Sequence, residues 1–545
     1  MIIKHNKYRR AALNSKRVIH LSFIGEAKMA NYRNIPVYLL LVTALLFAAA
    51  ESALGGSVMS ENSPGRVEST ARHLMHDLKK HGFEVRRGYF KNYSADDCDY
   101  TYNKIGSCYG NNPAAPYVVL TVPPWPEEYV DPKYGNMWGP SHKGYNDIYR
   151  LDPREAIVIL GQLPPPGAYF SEQTWVFTWQ GEFDKSSPQY KYIDENLHDF
   201  LPIFFANVPE RDGRIQVTSS LSNIVNNVVI ERQSKKSFDQ IRHFIITPDR
   251  IMDQEVRKAF ARISVKKKHV FTEPIPSNMN FGLDKDADDF TNLIRYAKPD
   301  NKRAGEIWRK NLPLVVLRVR DTRSHRMPEP YPEFTFDSLE LRDAESELYL
   351  KQDLGDLLYA VSKRWRQSCA ESDCSDQAES FILLQEDPID LVGPLCLPIG
   401  MNCLLDTWDT AYQIYGPGSA DKGVVYAVAG TLGTETGNAT YVGFGINQKS
   451  KLKGVANLFD EKLKGTANGY AGKVSNTGKF YLYYFTRDCS GLGGLTDGHC
   501  VSLKDYIPQN DQFVFSVRDY IKPDTQRGPD SSLVLPSMVI KLQRP

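Results

Sequence analysis

The chain lacks the catalytic signatures that most readily identify an enzyme from sequence. No G-x-S-x-G elbow, H-E-x-x-H pair, G-x-G-x-x-G turn after a strand or G-x-x-x-x-G-K-[ST] loop occurs in it, so the lipase-like, zincin, dinucleotide and P-loop chemistries have no motif to rest on. It also lacks a dominant charge. Its 66 Lys and Arg are balanced by 65 Asp and Glu, a formal net charge of +1 over 545 residues, and nucleic acid finds no basic bias to neutralise. No internal repeat of fixed period is visible, which argues against a solenoid or propeller. After residue 55 no apolar stretch offers a membrane segment.

What is present starts with one short apolar run, Ile35 to Ala50, followed by small residues. A spanning helix needs about 20 apolar residues and this run is shorter, so it reads as a signal-peptide core with cleavage near Ala50 or Ala53. The basic stretch before it is longer than an ordinary leader, and Met29 opens a more typical one, which places the translation start there. A single-pass anchor with its Lys and Arg on the cytoplasmic side is the competing reading. Cys98, Cys108, Cys369, Cys374, Cys396, Cys403, Cys489 and Cys500 all follow the leader and fall into four pairs close in sequence. Local disulfides are expected, and an oxidising compartment favours them over a metal at Cys369 to Cys403. Sequons at Asn92 and Asn438 predict glycosylated, exposed loops.

The expected class is mixed α+β: a β-rich N-terminal part, a central α/β layer with a mostly parallel sheet, and a disulfide-stapled β-rich C-terminal domain. Residues 1–53 are the signal region, 54–205 the first β-rich region with one leading helix, 206–330 the α/β section, 331–390 a helical connector and 391–545 the C-terminal domain. The leading helix carries Val67, Ala71, Leu74 and Leu78 on one face and stops at Gly82. A second amphipathic helix carries Met252, Val256, Ala259, Phe260 and Ile263 behind a Thr247-Pro248 cap. A third is predicted over DKDADDFTNLIRYA, and the section reads as an alternation of strand and helix through RIQVTS, SNIVNNVVIER, HFIIT and PLVVLRV, with strand ends after RIQVTS, HFIIT and PLVVLRV. The connector places Leu350, Leu354, Leu357, Leu358, Val361 and Trp365 at helical spacing.

Candidate chemistry concentrates at the predicted strand ends of the α/β section, because ligands in open parallel sheets collect there beside helix N-termini. Ser220 and Asn223 stand at the first end, Asp249 at the second, and Arg320, Asp321, Arg323 and His325 at the third. Ser220, Asp249, Asp321 and His325 have the groups for acid–base catalysis, and Asn223, Arg320 and Arg323 for ligand binding; ordinary capping and a solvated charged loop explain the same residues. The alternation Tyr169, Ser171, Gln173, Trp175, Phe177, Trp179 puts rings on one strand face, either a sugar-stacking platform or the inside of a core, while Glu172, Thr174 and Thr178 read as the solvated side. His73, His76, Asp77 and His81 share one helix face, as a metal site would, but read equally as solvated polar residues. Asp284, Asp286 and Asp288 imitate a calcium loop that lacks its Gly and closing Glu, and Asp406 with Asp409 has the content of a glycosidase pair.

These features describe a secreted glycoprotein enzyme, a hydrolase or a small-molecule or glycan-converting protein, with its site at the strand ends. The alternative is a non-enzymatic extracellular glycan-binding or structural protein that uses its aromatic strand faces, Tyr169, Trp175 and Trp179. No cofactor or metal is expected; the partner is a small molecule or glycan, with no nucleic acid, no stable membrane span after processing and no sign of an oligomeric state. Intact-mass analysis of the secreted product tests export: loss of the leader, added glycan mass and no free thiol are expected. Recovery of the unprocessed, fully reduced chain from the cell interior is the opposite outcome.

Overall fold

Eleven strands between residues 83 and 321 form one large sheet: β1 (Phe83–Tyr93), β2 (Tyr117–Thr121), β3 (Glu155–Gln162), β4 (Gly167–Gln180), β5 (Ala206–Asn207), β6 (Arg214–Ser220), β7 (Val225–Asn226), β8 (Ile241–Thr247), β9 (Val270–Pro274), β10 (Asp289–Pro299) and β11 (Leu314–Asp321). The structure, a computed structural model, describes residues 63–112, 115–323, 326–368 and 391–544; Met29, the leader from Ile35 to Ala53, His325, Cys369 and Cys374 lie outside the described residues. The strand order is β5-β6-β4-β10-β2-β1-β11-β3-β8-β9, with β7 beside β4. The boundary expected at residue 205 therefore falls within one sheet, and Ser57–Pro545 forms one compact unit.

The chain is mixed α+β, but strand direction departs from the expectation. Only β8 and β9 run parallel within the large sheet, and its other neighbours are antiparallel. The parallel pair is a true strand–helix–strand unit, whereas the helix expected over DKDADDFTNLIRYA is largely β10. Its apolar residues fit helical spacing because both strand faces are buried: Phe290 and Ile294 enter one core cluster and Leu293 another. A strand covered on both sides loses the two-residue alternation that would have identified it. The segment SNIVNNVVIER holds the short strand β7 and then a helix capped by Asn226.

β1 carries the sheet's change of direction. Its first half pairs with β11 and its second with β2. At the changeover stands Gly88, where a Cβ would lie 2.2 Å from the Thr121 carbonyl oxygen. On the outer face of β1, β3, β8 and β11 lie helices α1 (Ser63–Lys80) and α2 (Arg250–Arg262), burying Val67, Ala71, Leu74, Leu78, Met252, Val256, Ala259 and Phe260 as their spacing predicts. The cap of α2 is Asp249, whose carboxylate accepts from Ile251 N–H at 3.0 Å. The inner face encloses the largest cluster, which draws side chains from both ends of the strand order.

The C-terminal part is a sandwich of two four-stranded sheets. One has the order β12 (Thr410–Ser419), β18 (Gln512–Tyr520), β14 (Tyr441–Gln448), β15 (Lys453–Phe459); the other β17 (Cys500–Ser502), β16 (Phe480–Thr486), β13 (Val424–Thr431), β19 (Met538–Gln543). Phe444, Phe485, Phe513 and Phe515 pack between them. The connector helix α3 (Lys351–Arg366) lays Leu354, Leu357, Leu358, Val361 and Trp365 on the outside of the second sheet. Disulfides join Cys98 to Cys108, Cys396 to Cys403 and Cys489 to Cys500.

The two sequons differ. Asn92 is exposed, although on β1 and not in a loop. Asn438 contradicts the expectation of an exposed acceptor: it is fully buried and its amide nitrogen donates to Glu345 O and Glu347 Oε1, at 2.9 and 2.8 Å.

A buried ionic cluster ties the long β2–β3 connection to the sheet. Arg318 on β11 bonds both Glu155 oxygens, Glu128 Oε2 at 2.5 Å and the Arg150 carbonyl at 2.5 Å, and Trp125 donates to Glu155 at 2.9 Å. Removing one partner of such a cluster leaves bare charge in the interior. Arg318→Ala is expected to cost about 3–5 kcal/mol of unfolding free energy, measured by urea titration; a loss near zero would mean that the cluster is solvated.

Candidate functional site

The strand ends that the sequence singles out converge only in part. Asp249 and Asp321 are brought together by Arg326, which donates to Oδ2 of each at 2.5 Å. Burial pushes the Asp321 carboxyl up, but hydrogen bonds from Arg323 and Arg326 outweigh it and hold the group at about 2. It is a fixed anion at neutral pH, poorly suited to exchanging protons. Ser220 has a different partner: its hydroxyl and N–H both donate to Asp406, at 2.5 and 2.8 Å. Arg320 pairs with Glu84 and Glu127, and Arg323 with Asp321.

The aromatic row is not a platform. Tyr169 and Trp175 are 1% and 0% exposed, with their polar atoms bonded to Asp409 Oδ1 and the Asp406 carbonyl. Trp179 packs against the opposite cluster, beyond a register shift between Val176 and Thr178. The side of β4 read as solvated is also interior: Glu172 and Thr174 are fully buried. β4 lies between two cores, so its polar residues face protein on both sides.

That interior polar face builds the candidate site. Glu273 on β9, at one edge of the sheet, accepts from Thr174 N–H at 2.7 Å and from the Thr174 hydroxyl at 2.6 Å, reaching β4 across the enclosed cluster. Asn292 on β10 donates to Glu172 Oε1 at 2.5 Å and to Thr174 Oγ1 at 3.0 Å. Ser222, just past β6, donates its hydroxyl to Glu273 Oε1 at 3.2 Å. Ser222 also lines a cavity of about 340 Å³. Thr272, Tyr331, Glu333 and Asn223 contribute polar walls, and Phe334 and Val229 apolar ones. Asn223, a predicted ligand-binding residue, thus lies where a ligand has room, with its amide donating to Ser338 O at 3.4 Å.

Burial raises both carboxyls. Glu172 is pushed well above the ordinary range by desolvation and then by the charge of Glu273, and Glu273 is raised to about 7 by desolvation, against the donors that favour its ionised form. Near neutral pH the pair holds an exchangeable proton, with Ser222 between it and the cavity. Among the described residues no group of three or more His, Cys, Asp and Glu is arranged to hold a metal. Asp77, in the sequence-flagged helix cluster, pairs with Arg262, and the main chain of Asp77 contacts His81 Nδ1.

Sequence reasoning missed Glu172, Thr174, Ser222, Glu273 and Asn292. The available signal was Glu273 itself, a lone acid in the apolar strand VFTEPI.

No family model and no curated protein matches the chain. Among solved structures it is similar to the VPA0106 protein of Vibrio parahaemolyticus, at 9% identity and a TM-score of 0.33, over 88% of this chain and 98% of that one. It is also similar to an uncharacterized protein of Burkholderia cenocepacia, at 10% identity and a TM-score of 0.35, over 88% and 87%. Neither likeness carries a function to this chain.

The buried acids set a pH dependence. Burial raises Glu273 and Asp288 to about 7 and Asp519 to about 8. Each favours the protonated fold, so its contribution is complete below the unfolded value of about 4 and is lost as pH climbs to the folded one. His243 works in the other direction, driven by burial to about 3, but its contribution is complete above about 6.5 and does not change beyond it. Stability is therefore expected to fall from about pH 4 to 8, by roughly 1 kcal/mol per pH unit for each acid still protonated in the fold, with His243 offsetting one acid's share below about pH 6.5. Thermal unfolding across that range checks this, and Asp519→Asn should flatten the slope; a rise with pH contradicts it.

Proposed function

We propose that the chain is a secreted glycoprotein hydrolase that cleaves an ester of a small molecule or glycan in the cavity beside Ser222. The observation that carries this reading is the hydrogen bond from Ser222 to Glu273, which connects the cavity to a buried carboxyl pair with raised pKa values. Glu273, ionised, takes the Ser222 proton as Oγ bonds to the substrate carbonyl carbon. The alkoxy C–O bond then breaks and the same proton passes to the leaving alcohol. Water repeats the sequence, with Glu273 again as base, and releases the acid. Thr174 and Asn292 position the two carboxyls, and Glu172 keeps a proton beside Glu273 that moderates its charge. The Asp249–Arg326–Asp321 cluster stands at a strand end as an ion-paired support.

Export is supported by three closed disulfides and by the exposed Asn92 sequon; no helix among the described residues is long and apolar enough to cross a membrane. Burial of Tyr169 and Trp175 removes the surface on which the sugar-stacking alternative relied.

Assay of the secreted protein against aryl and sugar acetates tests the reading. Ser222→Ala is expected to lower kcat/KM at least about 100-fold, and Glu273→Gln by a similar factor, with wild-type activity rising as pH passes about 7. Full turnover by folded Ser222→Ala, on an ester that the wild type cleaves, excludes the assignment.

A further inference from the structure

Two buried arginines stand at the junction of the large sheet and the C-terminal sandwich. Arg295 on β10 is 7% exposed and Arg518 on β18 is 9% exposed, and neither forms an ion pair among the described residues. Arg295 donates only to the Leu405 carbonyl, at 2.8 Å, with its guanidinium 4.7 Å from the Trp175 ring. Arg518 donates to the Gly110 carbonyl at 2.5 Å, and its Nη1 has no acceptor. Beside it, Asn447 is 3% exposed with an unpartnered Oδ1. A guanidinium withdrawn from water without an anion is strongly destabilised, and Arg318 in this same molecule shows how the fold treats one when the charge is structural.

Both arginines border empty space. A chamber of about 40 Å³ is walled by Arg295, Arg518 and the phenols of Tyr117, Tyr169 and Tyr520. An adjoining chamber of about 70 Å³ has apolar walls that include Phe200, Phe204, Ile414 and Val514. Tyr109, Gly110, Leu404, Tyr412 and Arg518 belong to both. Asp406 borders the larger chamber, but its oxygens already accept from Ser220 and Gly393. The cationic end is thus the smaller chamber.

The shared walls are held in costly backbone shapes. Tyr109 has φ of 53°, and the consecutive Leu404 and Leu405 have φ of 54° and 62°, a left-handed region that side-chain-bearing residues occupy at a cost of about 1–3 kcal/mol each. A disulfide cysteine immediately precedes each segment, Cys108 before Tyr109 and Cys403 before Leu404. The two crosslinks clamp the walls where the arginines lie.

We propose that this junction is a binding site for a small carboxylic acid with a compact apolar group, its carboxylate between Arg295 and Arg518 and its apolar part among Phe200, Phe204 and Val514. Planar guanidinium groups match a carboxylate, the phenols of Tyr117 and Tyr520 add donors, and the apolar chamber rewards a ring or short branched chain. No wall residue is shared with the cavity beside Ser222, so the site stands whether or not the chain is a hydrolase.

Calorimetry and thermal shift on the secreted full chain, with benzoate, benzyl alcohol and inorganic phosphate as probes, decide it. Benzoate is expected to bind with one-to-one stoichiometry and raise Tm, with benzyl alcohol and phosphate each at least roughly tenfold weaker. Arg518→Gln should weaken benzoate at least roughly tenfold; Asn447→Asp, which sets a like charge beside the carboxylate, should do the same and serves if Arg518→Gln does not fold. Benzyl alcohol equal to benzoate removes the anion site, and phosphate equal to benzoate removes the apolar chamber from it. Undiminished binding by both variants, or no benzoate binding up to roughly 10 mM, overturns the proposal and leaves solvent as the arginines' partner.

Discussion

The large sheet is closed by one carboxyl group. Glu273 belongs to an edge strand, yet its oxygens accept from Thr174 on β4, several strands away in the hydrogen-bonded order. An edge strand with an acid aimed inward is costly unless that acid finds donors. Thr174 N–H, the Thr174 hydroxyl and Ser222 supply three, and the only way to collect them is to bring the two ends of the sheet together around the inner cluster. Closure explains why the Glu172–Thr174 face of β4 is buried and why its polar residues form a network, with a cavity lined by residues just past β6 and on β9.

How much of this is visible in the residues depends on whether an element has one buried face or two. Helices α1 and α2 are covered on one side, so their apolar stripes appear at the spacing of a helix and their burial follows it. The sandwich strands are punctuated by turns and were legible as such, and α3 was legible from its leucines. β4 and β10 are covered on both sides, and there the rules fail in opposite ways. Glu172 and Thr174 look solvent-facing because they are polar, and β10 looks helical because its apolar residues no longer alternate. Strand-end reasoning reached Asn223, which does line the cavity, but passed over Ser222 immediately before it. Glu273 could be noticed as a lone acid in an apolar strand, but its partners come from strands remote in sequence, which no local pattern encodes.

The disulfides act locally in a way that loop length alone would not suggest. Cys98–Cys108 and Cys396–Cys403 span 10 and 7 residues, short loops whose closure restrains the unfolded chain only modestly. Their position matters more. Each ends one residue before a left-handed segment that projects toward the sandwich, and those segments separate the large sheet from β14 and β18.

Buried charge receives three different treatments in this one unit, and the differences separate structure from function. Around Arg318 two carboxylates share one guanidinium and every carboxylate oxygen is bonded, an arrangement that fixes a connection in place. At Glu172 and Glu273 two like groups share a site, so the charge is removed by a proton instead of a partner, and protons held that way move at neutral pH. At Arg295 and Arg518 neither solution is present: a guanidinium does not give up its proton, and among the described residues no carboxylate forms an ion pair with either. Around Arg318 the fold builds permanent counter-ions. Leaving two arginines without them, beside space and strained walls, is the expected pattern for a charge completed from outside the chain.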